Sequence, residues 1–162
     1  MADAPDFLRR LDVVEARLAE HSADSRSHGG LTEADRGTGE QWQWGQVWAH
    51  LAEFIPYWLA QAQAVIAAHR GEPVPFGRVK SNPERVAAIE RDRGVPVAEL
   101  WSRLQAQIAD LRAFLRDVPA GDWAARGVHQ TLGIMDMPHL VDEFLVGHLE
   151  QPAAQLDGLS RS

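Results

Sequence analysis

Two of the seven histidines in this chain are set apart by the residues around them. His50, in WGQVWAHLAEF, lies three residues after Val47 and four before Phe54; His148, in FLVGHLEQP, lies four after Phe144 and three after Leu145. Such spacings put both imidazoles on the apolar stripes of helices. A buried imidazole needs a partner for at least one nitrogen, because an unpaired polar group in a core costs about 1–3 kcal/mol. One such histidine is explained by a hydrogen bond to a nearby acceptor. Two on facing helices suggest a shared centre, since bundles build metal sites from inward side chains and neutral imidazole suits zinc, nickel or ferrous iron. One helical turn beyond His148, where a further histidine would complete a ligand pair, the chain carries Pro152, which cannot bind a metal. The spacing therefore leaves two readings: a metal centre with an altered ligand set, or a scaffold without that chemistry.

Other chemistries find little support. With no cysteine there is no disulfide framework, no thiolate zinc site and no cysteine nucleophile, which leaves His, Asp and Glu as ligands. The serines fall in loops and tails apart from Ser102, none in a nucleophile elbow, and no glycine-rich phosphate loop is present. A formal net charge of -7, with Lys and Arg interspersed among acids, supplies no basic stripe for phosphates, so no nucleic-acid partner is expected. No apolar run approaches the ~20 residues of a membrane span, and MADAPDFLRR lacks a signal-peptide core. A cytoplasmic protein of one domain, residues 1–162, is expected.

The elements that would position these histidines follow from periodicity. Phe7, Leu11, Val14 and Leu18 mark a first amphipathic helix, and the polar segment 21–39 reads as a loop crossing over one end of a bundle. A second helix runs from about Trp44 to His69, and Pro56 within it predicts a bend, because its ring removes the bond to the Ala52 carbonyl. GEPVPFGRVKSN reads as an irregular connection, and Asn82-Pro83-Glu84 as the capped start of a short helix ending near Arg91. A further helix begins at Pro96, carries Leu100, Leu104, Ile108, Leu111 and Leu115 on one stripe, and ends before Pro119. Residues 119–135 form a long connection with at most one short turn. The last helix starts with Asp136 as cap and Pro138 in its first turn. No strand signal of weight and no repeat is present, so the fold expected is all-α: a four-helix bundle with a short additional helix and long crossover loops.

Within that layout WGQVWAHLAEFIPYWLAQ in the second helix and GHLEQPAAQL at the end of the bundle resemble the DinB-like superfamily, which includes the N-terminal domains of mycothiol-dependent maleylpyruvate isomerases and bacillithiol transferases. The resemblance implies a four-helix bundle with a divalent metal on three residues, one histidine early in the second helix and two ligands a turn apart in the last. For some members it implies transfer or isomerisation with a low-molecular-weight thiol; it implies no DNA binding. His50 matches the second-helix ligand, His148 the first position of the terminal His-x-x-x-His pattern, and Pro152 its second. Three residues are considered as replacements. His129, in RGVHQTLG, could fold back over the bundle mouth as third ligand or general base, and is preferred. Glu143 lies five residues from His148, about 140° around an ideal helix, and His139 more than two turns away. His139, Asp142 and Glu143 are otherwise a solvated face, and His21, His28 and His69 solvated or capping residues near helix ends.

Two functions are thus in play. The first is a metal-dependent transferase or isomerase using a thiol, or a hydrolase, with zinc, nickel or iron on His50 and His148. The second is a metal-free scaffold that binds a small molecule in a cleft lined by Trp44, Trp48 and Trp58. Exposed tryptophans would make it a homodimer.

Overall fold

The computed structural model describes residues 3–161, and these fold as a four-helix bundle with a small sheet at one end. Helix α1 (Ala4–Ser22) starts where the Asp3 carboxylate accepts the Asp6 N–H at 3.0 Å, and its predicted stripe Phe7, Leu11, Val14 and Leu18 is buried. Helix α2 (Trp44–Ala68) is the longest and the most apolar, with buried residues on more than one side. It continues through the exposed Pro56, and the carbonyl of Ala52 that this proline frees accepts the side-chain N–H of Gln107 at 2.8 Å. Helix α3 (Pro83–Asp92) begins at Asn82, whose side chain accepts the N–H groups of Glu84 and Arg85. Helix α4 (Val97–Asp117) buries the five leucine and isoleucine residues of its stripe.

The last rod has three parts. Asp136 caps α5 (Met137–Val141) by accepting the His139 N–H at 3.0 Å; a π turn, Asp142–Val146, follows, and α6 (Gly147–Ser160) completes it. Helices α1 and α2 each pack against α4 and against α6, so the four long elements close into a ring, while α3 lies against α2. At this scale each buried leucine contributes roughly 1.5–3 kcal/mol, and the stripes read from the sequence are the core.

Strands are where the structure departs from the sequence reading. The irregular connection holds β1 (Val74–Phe76), and the long connection holds a 3-10 turn (Ala120–Ala124), β2 (Arg126–His129) and β3 (Gly133–Asp136). Their order is β1-β2-β3, parallel in the first pair (Val74 opposite Gly127) and antiparallel in the second (His129 opposite Gly133). Strands of three or four residues are too short for alternation to register, and Pro75 is tolerated because β1 is an edge.

The tryptophans and two of the histidines also differ from expectation. No tryptophan among the described residues is exposed, so exposed tryptophans supply no ground for a homodimer. Trp48 is wholly buried against Trp101, and Trp44 is half-buried, stacked on His28 at 4.0 Å with the edge of His21 5.8 Å away. His21 and His28 are therefore packed, not solvated: His21 Nε2 meets Asp157 at 2.6 Å and His28 Nε2 meets Asp24 at 3.0 Å. His69 caps the end of α2, as its position suggested, although its Nδ1 is buried without a partner. No helix among the described residues is long and apolar enough to cross a membrane.

Candidate functional site

Helix α2 carries His50 into the bundle one turn before Phe54, and α6 carries His148 to meet it. The two rings stand edge to face, centroids 4.9 Å apart. Phe54 touches both, 5.1 Å from His50 and 4.6 Å from His148, and Trp42 lies 4.8 Å from His50 on its other side. His50 is 3% exposed, and its Nδ1 is buried without a hydrogen-bond partner. Burial drives both imidazoles toward the neutral form. His148 is pushed down to about 3, by burial first and then by the charges of Arg85, Lys80 and Arg78. His50 falls well below its ordinary value, by burial first, then by His148 and the same three cations.

The local backbone around His148 is unusual on both sides. Before it, the N–H of Gly147 bonds the carbonyl of Asp142 five residues back, and a Cβ at 147 would stand 2.2 Å from that oxygen. After it, Pro152 is buried in the helix and has no N–H for the His148 carbonyl. The π turn also revises the phase expected for Glu143. Where bonds span five residues, positions five apart lie about one turn apart, so Glu143 joins His148 in lining one cavity although an ideal helix would turn it away.

That cavity has a volume of about 750 Å³ and opens at the bundle mouth. Phe54, Trp58 and Phe144 form its apolar wall, with Trp58 stacked on Phe144 at 3.9 Å. His129 at the end of β2 forms part of the same wall, 5.1 Å from Phe144. Both of its nitrogens are engaged. Nε2 bonds the carbonyl of Arg78 at 3.0 Å, which requires it to carry the proton, and Nδ1 accepts from the N–H and hydroxyl of Thr131 and the N–H of Leu132. Gly77, at φ +92°, makes this packing possible: a Cβ there would lie 2.7 Å from the His129 ring and 3.0 Å from Trp58. His139 is exposed and does not line the cavity. Trp58 lines it, but Trp44 and Trp48 do not, which corrects the tryptophan cleft expected from the sequence.

Cations surround the histidines. Arg78 donates from a single amino nitrogen to both oxygens of Glu53, at 2.5 and 2.7 Å, and lies 4.0 Å over Tyr57; Lys80 pairs with Asp35; Arg10 holds Asp142 and Glu150. Arg85 is buried at 6% exposure beneath a second, smaller recess of about 40 Å³ that it shares with Trp42, His50, His148, Pro152 and Gln155. The sequence reading missed Arg85 because an arginine in a first turn reads as solvated. A signal was present: Arg85, Ile89 and Asp92 recur at helical spacing and form the buried face of α3.

With this geometry in place, comparison with known proteins identifies the family. The model of the DinB superfamily matches residues 7–156. The chain belongs to the DinB superfamily. Among solved structures, this DinB protein is similar to YfiT from Bacillus subtilis, described as a probable metal-dependent hydrolase with an unusual four-helix bundle topology: TM-score 0.73, 19% identity, 98% of this chain and 86% of that one covered. It is also similar to the mycothiol-dependent maleylpyruvate isomerase, with TM-score 0.60 and 13% identity, covering 96% of this chain and 60% of that one. At these identities the likeness is one of fold. No curated protein matches the sequence.

The divalent metal that the family implies can be tested against the residues present. Among the described residues no group of three or more His, Asp or Glu side chains is arranged to hold an ion. Pro152 occupies the expected third position, His129 has both nitrogens engaged, and three cations act on the two imidazoles that remain. Two neutral nitrogens in a positive field are a poor donor set for a divalent cation. The residues do not fit the metal.

Proposed function

We propose that this DinB-superfamily protein binds a small organic molecule in the cavity at the bundle mouth without a resident divalent metal, and that His50 and His148 act there as neutral hydrogen-bonding groups. The observation that carries this reading is the pairing of a buried imidazole, His50, with a half-buried one, His148, 4.9 Å apart, with a buried proline in place of the third ligand. A cavity of about 750 Å³ with an aromatic wall and a few converging polar groups has the dimensions of a ligand site. His50 Nδ1, buried and unpartnered, supports it further, because a group that has given up its hydration gains most from a ligand that supplies a partner.

The competing reading is a metal-dependent transferase or isomerase using a low-molecular-weight thiol, or a hydrolase, with zinc, nickel or iron on His50 and His148. It is favoured by the meeting of the two imidazoles and by the description of YfiT as a probable metal-dependent hydrolase. It lacks a third protein ligand among the described residues. Elemental analysis of protein purified without a histidine tag, followed by zinc and nickel titration, separates the two. The expected result is substoichiometric metal that His50→Ala leaves unchanged. Stoichiometric metal that disappears in His50→Ala would establish the competing reading.

A further inference from the structure

The centre that lacks a third imidazole does not lack positive charge. Arg85, on the buried face of α3, places its guanidinium in the recess beside Pro152, His50 and His148, and it also lines the main cavity. Its bonding is incomplete. One amino group donates to the Lys80 carbonyl at 2.6 Å, the other stands 3.6 Å from Glu40, outside hydrogen-bond reach, and the fork lies 5.5 Å over the Trp42 ring. Trp42 in turn lies 4.8 Å from His50, so the indole stands next to both the guanidinium and the imidazole. The other cations at the cavity each have a carboxylate within hydrogen-bond distance: Arg78 has Glu53, although its Nε is buried without a partner, Lys80 has Asp35, and Arg10 has Asp142 and Glu150, while Glu143 is exposed.

We propose that Arg85 supplies the fixed positive charge of this centre in place of a metal, and that the ligand is an amphipathic carboxylate, its carboxylate held by Arg85 with His50 and His148 and its apolar body laid against Phe54, Trp58 and Phe144. The proposal rests on the metal-independent reading above and names the ligand class for that site. A guanidinium fork matches a carboxylate in plane and charge, and such bonds are about twice as strong as neutral ones. A neutral imidazole adds one N–H donor without a second charge. The low values toward which burial and Arg85 drive His148 agree with a pocket whose permanent charge is the arginine. A carboxylate taken into such a pocket with no cation would be rejected for its desolvation cost, so Arg85 decides whether acids or neutral molecules are selected.

The test compares 3-phenylpropionate with its uncharged counterpart 3-phenylpropanamide by calorimetric titration of the full chain in EDTA. The acid is expected to saturate and to bind at least about tenfold more tightly than the amide. Arg85→Gln should remove that preference, bringing the acid to an affinity no better than the amide's in the same variant, and Arg85→Lys, which keeps the charge without the fork, should retain part of it. Circular dichroism confirms folding of each variant; if Arg85→Gln does not fold, the acid-to-amide ratio in the natural chain and in Arg85→Lys decides. Equal affinity for acid and amide, or a preference intact in folded Arg85→Gln, would overturn the carboxylate assignment and leave the metal-independent cavity standing. Acid binding that appears only on adding zinc would overturn both, as would the absence of saturation by either probe.

Discussion

At the residue scale the site is a problem of unpaid hydration. His50 and His148 sit among aromatic rings and near fixed cations, and burial and those charges disfavour the protonated form. The consequence for stability has a definite sign. Both folded-state values lie below the roughly 6.5 of an unfolded histidine, so between these limits the unfolded chain binds more protons and stability rises with pH. Stability from this pair is therefore complete above about pH 6.5 and is lost as pH falls toward the His148 value of about 3, with a limiting slope on the order of 1 kcal/mol per pH unit per histidine. Carboxylates held low by basic partners, such as Asp24 beside Arg26 and Asp35 beside Lys80, act below about pH 4 and do not cover the upper part of that window. Urea unfolding at pH 7, 6, 5 and 4.5 should give a falling stability in the natural chain and a nearly flat one in His50→Gln/His148→Gln; parallel curves would refute the assignment. The two histidines were legible in the sequence because a polar residue on an apolar stripe stands out. Arg85 was not read, since an arginine in a first turn passes for a solvated residue and the faint face it shares with Ile89 and Asp92 holds a single apolar side chain, and the engagement of His129 depends on a carbonyl fifty-one residues away.

The elements divide in the same way. Helices of nineteen to twenty-five residues carry enough turns for their stripes to appear, and the caps of the shorter α3 and α5, Asn82 and Asp136, are where side-chain chemistry puts them. The sheet escapes because each strand is stabilised by its neighbours and not by its own pattern, and the π turn because one inserted residue leaves no mark on an apolar sequence. Pro56 shows how a local defect is absorbed. The carbonyl of Ala52 has lost its intrahelical donor and takes the Nε2–H of Gln107 from α4 instead. Gln107→Ala should therefore cost about 1–2 kcal/mol in the natural chain. In a Pro56→Ala background, where residue 56 offers its own N–H to that carbonyl, the same substitution should cost about 1 kcal/mol less. A double-mutant cycle by chemical denaturation measures the difference, and an equal cost in both backgrounds would mean that the side-chain bond contributes nothing to α2.

On the scale of the whole molecule, α2 is the most widely packed member: α3, α4, α6 and β1 all pack against it, and it contributes His50, Phe54 and Trp58 to the cavity. The parts facing it across the cavity are of another kind. β1 to β3 are short, two of the three are edges, and the connection 23–43 is held by isolated bonds such as Thr32 N–H to the Trp42 carbonyl at 2.8 Å and the Asp35 turn. A bundle with one deeply packed helix and a thin cover should open in stages, the cover first and the helix only with global unfolding. Hydrogen exchange followed by mass spectrometry should find the amides of Val47–Phe54 protected to the limit set by global stability. Those of β1, β3 and the connection 23–43 should exchange about a hundredfold faster or more. Such an order would mean that the entrance to the cavity opens without disturbing the two imidazoles, so that a ligand can enter and leave a site whose floor stays folded. Uniform protection across cover and core would instead make entry dependent on unfolding of the bundle itself.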